Sequence, residues 1–272
     1  MKLIIENGGS KLDWTLLESD NINTSESINL FDVDDVIVNQ INQIFPSKIL
    51  SQTNIEVDFY TAGLTTYTSN KIKFIFKQYF KLDSVNVFSD MLAASRALFN
   101  KDNGIVCVLG TGSNCVYFNG KKNEQITTSL GHLLGDEGSG YDLGKIFLRH
   151  YFQNKIPLYL RSQFEKKEKM NQDEILSAIY MSSNQKFHIA SVAKFLKEHE
   201  SNPIIKKIIH NAFLNFLNTH PFKFPEFNKY QFGFSGSVAF HFKEIIGDIL
   251  GQKAIDYIVI EKPIKNLLEY YN

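Results

Sequence analysis

The chain has 272 residues, 43% of them hydrophobic, and its 29 basic and 29 acidic side chains leave no formal net charge. That is enough length for two domains of ordinary size and enough apolar material for a core in each. The charge balance, broken only by Lys166-Lys167-Glu168-Lys169, argues against nucleic-acid and anionic-membrane binding, and no apolar run reaches the ~20 residues needed to span a bilayer.

The opening Met1–Glu6 is too short and too soon acidic for a signal peptide, so a cytoplasmic protein is expected. Residues 2–6 and 13–18 read as a hairpin. Phe31–Phe45 has helical spacing (Val33, Val36, Ile37, Ile41, Ile44) and stops at Pro46. Ile55–Tyr60 reads as a strand, and Ala62-Gly63-Leu64 turns the chain into a helix over about Thr65–Tyr79. Val85–Phe88 is a short strand feeding a helix over Asp90–Phe99, with Ser89 and Asp90 where N-cap acceptors belong. Strands followed by helices predict parallel crossovers and an α/β sheet. Lys101-Asp102-Asn103-Gly104 is a polar break, which sets a first domain at 1–103 and a second at 104–262.

The second half opens with strands at Ile105–Leu109 and Cys115–Phe118, and Asn119-Gly120 signals a type I′ turn into Glu124–Thr128. A glycine-dense loop, Gly131-His132-Leu133-Leu134-Gly135-Asp136-Glu137-Gly138-Ser139-Gly140, leads into a helix over about Tyr141–Tyr151. From Pro157 to His220 the periodicity is helical. Gln231–Phe234 is a strand, Ser235-Gly236-Ser237 a turn, Val238–Leu250 a helix and Ile255–Ile260 a last strand. Pro263 starts a final helix over Ile264–Tyr271, and the segment 263–272 is expected to complete the first domain.

One pattern occurs twice: a strand, a Gly/Ser/Thr turn and a returning strand. The copies are Glu6-Asn7-Gly8-Gly9-Ser10-Lys11 and Gly110-Thr111-Gly112-Ser113-Asn114 with their flanks. Such turns let backbone N–H groups and hydroxyls surround an anion, so two copies suggest related half-domains gripping one polyphosphate; two ordinary tight hairpins are the plainer alternative. Walker A, nucleophile-elbow, HExxH and dinucleotide fingerprints are lacking. Cys107 and Cys115 flank the second turn and read as buried free thiols, and no Cys/His spacing resembles a zinc site.

Gly110-Thr111-Gly112-Ser113-Asn114, then Gly131–Gly140, then Ser235-Gly236-Ser237-Val238-Ala239, resemble in order the BadF/BadG/BcrA/BcrD ATPase family, and within it the N-acetylglucosamine kinases. The resemblance implies two actin-like ATPase (ribonuclease H-like) α/β domains with an interdomain cleft, of the actin/hexokinase/Hsp70 kind. It implies ATP and Mg²⁺ and an amino-sugar substrate (N-acetylglucosamine to its 6-phosphate; glucosamine and N-acetylmuramate are alternatives). The charge balance gives no nucleic-acid or membrane partner, and the 23 Phe suggest either apolar surfaces for a homodimer or simply a Phe-rich core. Gly8, Gly9, Ser10 and Lys11 match the first phosphate loop, Gly110, Thr111 and Gly112 the second, and Gly236 and Ser237 the adenosine motif. Asp90 matches the catalytic aspartate, and Asn29, Ser113, Asn114 and Asp136 match sugar-contacting positions.

Glu6 stands where the family carries the aspartate that holds Mg²⁺ through water. Leu12 replaces a common Thr, and Thr128-Ser129-Leu130 a glycine/tryptophan run. Glu137 and His132 read as structural, and Trp14 and Tyr141 as core. The same resemblance leaves two other readings. One is an ATPase activator of the BadF type, whose cluster-binding cysteine pair has no counterpart in the setting of Cys107 and Cys115. The other is a catalytically weakened ATP- and sugar-binding protein.

Overall fold

Strand β1 (Lys2–Asn7) buries Leu3, Ile4 and Ile5 completely. A strand with neighbours on both edges and cover on both faces needs such a continuous apolar run. The computed structural model describes residues 1–272 apart from Asp20 and Thr53. The chain divides into two compact units, the first Met1–Asp102, Asn119–Asn123 and Lys262–Asn272, the second Asn103–Phe118 and Glu124–Glu261.

In the first unit β1 is followed by β2 (Lys11–Leu16), β3 (Asn23–Glu26), α1 (Asp34–Ile44), α2 (Ser47–Leu50), β4 (Glu56–Thr61), α3 (Thr66–Phe80), β5 (Val85–Ser89) and α4 (Asp90–Phe99). The sheet order is β3-β2-β1-β4-β5. β1, β2 and β3 pair antiparallel, whereas β1–β4 and β4–β5 are parallel and linked through helices. Thr65 and Thr68 form a capping box at the start of α3, and Ser89 Oγ accepts from Leu92 N at the start of α4. The C-terminal helix Pro263–Tyr271 also belongs to this unit. Its Tyr271 hydroxyl donates to Asp58 and lies 2.5 Å from Tyr60 Oη, which accepts from Arg96 Nη1 at 2.6 Å. The Arg96 guanidinium stacks over Phe88 and Tyr270.

The second unit runs β6 (Asn103–Leu109), β7 (Ser113–Asn119), β8 (Asn123–Gln125), α5 (Gly131–Leu134), α6 (Gly140–Phe152), α7 (Leu158–Glu168), α8 (Gln172–Met181), α9 (Gln185–Ser191), α10 (Ala193–Glu198), α11 (Pro203–Thr219), β9 (Phe232–Ser235), α12 (Ser237–His241), α13 (Lys243–Gly251) and β10 (Tyr257–Ile260). Its sheet order is β10-β9-β6-β7-β8, so counting strands within each unit both sheets read 3-2-1-4-5. Phe147, Phe164 and Phe195 pack mutually with centroids 5.0–5.3 Å apart and tie the helices to the core. Phe residues fill the cores, supplying most of the largest fully buried side chains. Cys107 and Cys115 are buried free thiols with Sγ atoms 3.6 Å apart. Among the described residues no helix is long and apolar enough to cross a membrane.

Several local expectations are corrected. Helix α1 begins at Asp34, leaving Phe31 and Val33 exposed. Strand β3 and helix α2 carry too few apolar residues in period to announce themselves. Only Gly120 of the Asn119-Gly120 pair has positive φ, so the hairpin is not type I′, which needs two such residues. Asn119 Oδ1 instead accepts from Lys121 N and Lys122 N. Strand β8 has three residues, and α12 and α13 are separated at Phe242. Trp14 is core, packed on Phe45, but Tyr141 is half-buried with His132 edge-on to it at 5.1 Å.

Candidate active site

In the first unit the β1–β2 register places Glu6 opposite Asp13. Gly8 N donates to Lys11 O at 2.9 Å to close the turn, and a Cβ on Gly9 would meet nothing, so the apex is open to a ligand. Lys11 and Ser10 are exposed there. Asp13 is buried; it accepts from Thr24 Oγ1 and pairs with Lys262 Nζ at 2.9 Å. Asp90 opens α4 directly after β5, and its Oδ1 accepts from Met91 N at 2.8 Å.

Glu6, Asp13 and Asp90 therefore form one carboxylate cluster with Lys262 as its cation. Burial, then the like charges of Asp13 and Asp90, push the Glu6 carboxyl up to about 8 against the pull of Lys262. Burial raises Asp90 to about 6, with backbone N–H groups opposing the rise. Among the described residues no three His, Cys, Asp or Glu side chains converge to ligate a metal directly. Asn7 is buried and clamps Ile28, accepting from its N at 2.8 Å and donating to its O at 3.0 Å, which fixes the chain next to Asn29. Asn29 itself is exposed and bonded to Asp32 Oδ1 at 2.8 Å.

In the second unit the Gly110–Gly112 turn is closed by Gly110 N to Gly112 O at 2.9 Å. The N-terminus of α6 docks on it through Gly140 N to Gly110 O (2.8 Å) and Tyr141 N to Thr111 O (3.2 Å). Gly236 has φ +110°, and a Cβ there would lie 2.5 Å from Leu109 O, so only glycine fits. The Gly110–Gly112 turn and the Gly236-Ser237 turn are thus adjacent, with Ser237 exposed at the start of α12.

Asp136 is buried, with positive φ. Its Oδ1 accepts from Ser113 N at 3.3 Å and its Oδ2 lies 3.2 Å from Lys186 Nζ. A Cβ on Gly112 would come within 2.7 Å of that carboxylate. Ser113, Asn114 and Asp136 line a cavity of about 260 Å³ together with Thr127, Glu137 and His220. Ser113 Oγ is buried there without a hydrogen-bond partner. Glu137 accepts from or pairs with His220 Nε2 at 3.0 Å.

Asp13, Lys262, Thr127 and His220 were not found from the sequence. Asp13 could have been, because the short Gly8-Gly9-Ser10 turn sets its register against Glu6. Lys262, which follows the last strand, and His220, at the end of a helix, carried no signal of their own.

No family model matches the chain. A curated N-acetylmuramic acid/N-acetylglucosamine kinase from Clostridium acetobutylicum is 27% identical over 138 residues, covering 48% of this chain and 45% of that protein. The chain thus spans less than half the length of the curated relative it matches. A crystal structure from Porphyromonas gingivalis, provisionally named an N-acetylglucosamine kinase, matches 100% of this chain and 98% of its own at TM-score 0.92 and 28% identity. A Chromobacterium violaceum structure with the same provisional name matches 100% of this chain and 98% of its own at TM-score 0.64, but at 11% identity it shows the fold alone. Over its whole length the chain is therefore similar to a protein named, provisionally, for N-acetylglucosamine phosphorylation.

Proposed function

We propose that the chain is an ATP-dependent amino-sugar kinase of the BadF/BadG ATPase kind. It has the actin-like two-domain architecture of that superfamily and acts in the cytoplasm on N-acetylglucosamine, forming the 6-phosphate. The observation that carries this reading is the whole-length likeness at TM-score 0.92 and 28% identity, which accompanies a carboxylate cluster under an open glycine turn. Gly8–Lys11 and Gly110–Gly112 would hold the ATP phosphates, Gly236 and Ser237 the nucleoside, and Asn29, Ser113, Asn114 and Asp136 the sugar.

Asp90 is suited to the base. A carboxylate raised to about 6 is mostly ionised at pH 7–8 yet more basic than an ordinary aspartate. Met91 N–H and the start of α4 hold its orientation. It would accept the proton of the attacking sugar hydroxyl, while the loop N–H groups stabilise charge on the phosphoryl oxygens.

The donor set fits a hydrated magnesium ion. Hard carboxylate oxygens lie near one another, burial and then the like charges of Asp13 and Asp90 keep a proton on Glu6, and Mg²⁺ keeps several waters. Glu6 would hold that ion through water, and the ion would neutralise phosphate charge. Asp13 is already committed to Lys262 and Thr24.

The test is a coupled ADP-release assay with Mg-ATP and a panel of amino sugars, comparing the native chain with Asp90→Asn. Sugar-dependent turnover lost in the variant supports the reading. Absence of turnover with every sugar overturns it.

A further inference from the structure

Thr127, His220 and Glu137 form a chain of hydrogen bonds on the wall of the second unit's cavity. His220 Nε2 lies 3.0 Å from Glu137 Oε2, and Nδ1 meets Thr127 Oγ1. The imidazole is largely buried, sits just after α11 and packs on Phe216 at 5.2 Å between centroids. An ionised carboxylate can only accept, so the ring hydrogen belongs on Nε2. The neutral imidazole then has only a lone pair at Nδ1, which takes the single hydroxyl hydrogen of Thr127. Thr127 Oγ1 keeps a lone pair for a ligand and has no hydrogen left to donate. Asp136, which also lines the cavity, is an acceptor too.

We propose that this relay makes Thr127 a fixed acceptor and a specificity-determining residue, selecting sugars that present an N–H or O–H to it over analogues carrying only an acceptor at that position. Taking the cavity as the sugar site, the reading proposed above, Thr127 touches the substrate. His220 and Glu137 are positioning residues that act by holding the Thr127 hydrogen away from it. A mismatched acceptor would leave two facing lone pairs without a proton between them inside the cavity, which costs roughly tenfold in affinity.

The experiment is calorimetric binding without ATP at pH 8.5, where an imidazole is ordinarily neutral. The ligands are N-acetylglucosamine, its monodeoxy and monofluoro analogues, and the analogue with an ester oxygen in place of the amide N–H. The native chain should bind one acceptor-only analogue about tenfold more weakly than the parent sugar. Thr127→Val should bring that one ratio close to unity, and Thr127→Ser, which restores the hydroxyl, should recover it. His220→Asn and His220→Phe supply a second comparison. Asn, whose Oδ1 takes the place of Nδ1, still offers an acceptor to Thr127 and should retain the selectivity, whereas Phe should lose it; a merely structural role would weaken every ligand equally. Survival of every ratio in Thr127→Val overturns the relay while leaving the sugar site standing. Failure of the native chain to bind any of these sugars overturns the reading of the cavity, and the relay with it.

Discussion

Replacing Glu6 by glutamine should stabilise the first unit at alkaline pH and leave it nearly unchanged at acid pH. Burial and the neighbouring Asp13 and Asp90 raise the Glu6 carboxyl from 4.5 to about 8. Between those values the native state keeps a proton that the unfolded chain has released, so stability falls as pH rises through this window. The contribution of the protonated group is whole below pH 4.5 and lost above pH 8. At 1.36 kcal/mol per unit the full rise is worth up to about 5 kcal/mol, and sharing the strain with Asp13 and Asp90 brings the expected effect to roughly 2–5 kcal/mol. Glutamine keeps the shape and never ionises. Urea unfolding in EDTA from pH 5 to 9, followed by fluorescence, checks this. Trp14 is the sole tryptophan and lies in the first unit's core, so the signal reports on that unit. The two chains should have similar stability at pH 5 and diverge toward pH 9. A constant offset at every pH would refute the reasoning. Replacing EDTA by Mg²⁺ at pH 8.5 should recover stability in the native chain and not in Glu6→Gln.

Asp90→Asn should lower kcat by roughly 10²–10⁴-fold in the ADP-release assay. Because the Asp90 carboxyl is raised from 3.8 to about 6, the same variant should be more stable above pH 6, by up to about 3 kcal/mol in urea unfolding. Gly144→Ala should destabilise the second unit by about 3 kcal/mol or more, read as a fall in its thermal midpoint. The new Cβ would lie 2.0 Å from the Ile189 carbonyl oxygen, where backbone must move. Tyr271→Phe should cost about 1–2 kcal/mol in unfolding of the first unit. Asp58 would lose one donor but keep Lys2 at 3.2 Å and Asn86 at 2.8 Å.

The long, strongly patterned elements were legible because their causes are local. The buried run Leu3-Ile4-Ile5, the glycine turns, and Ser89 and Asp90 at a strand-to-helix junction each fix structure within a few residues. The turn at Ser235-Gly236-Ser237 was legible in the same way, but the need for glycine there was not, because its cause, contact with Leu109 O, lies far off in sequence. The short elements were not, since β3 with Asn23-Thr24-Ser25-Glu26 has no apolar period to read.

The chemistry of the candidate site divides along the same line. The sequence by itself determined which acids and glycines are present and near which turns. Tertiary structure decided that Lys262 meets Asp13, that Glu6 feels both Asp13 and Asp90, and that His220 joins Thr127 to Glu137. Those properties depend on distance and on exclusion of water, and neither is a function of separation along the chain. A carboxyl that would titrate at 4.5 in the unfolded chain titrates near 8 only once the fold has buried it beside two like charges.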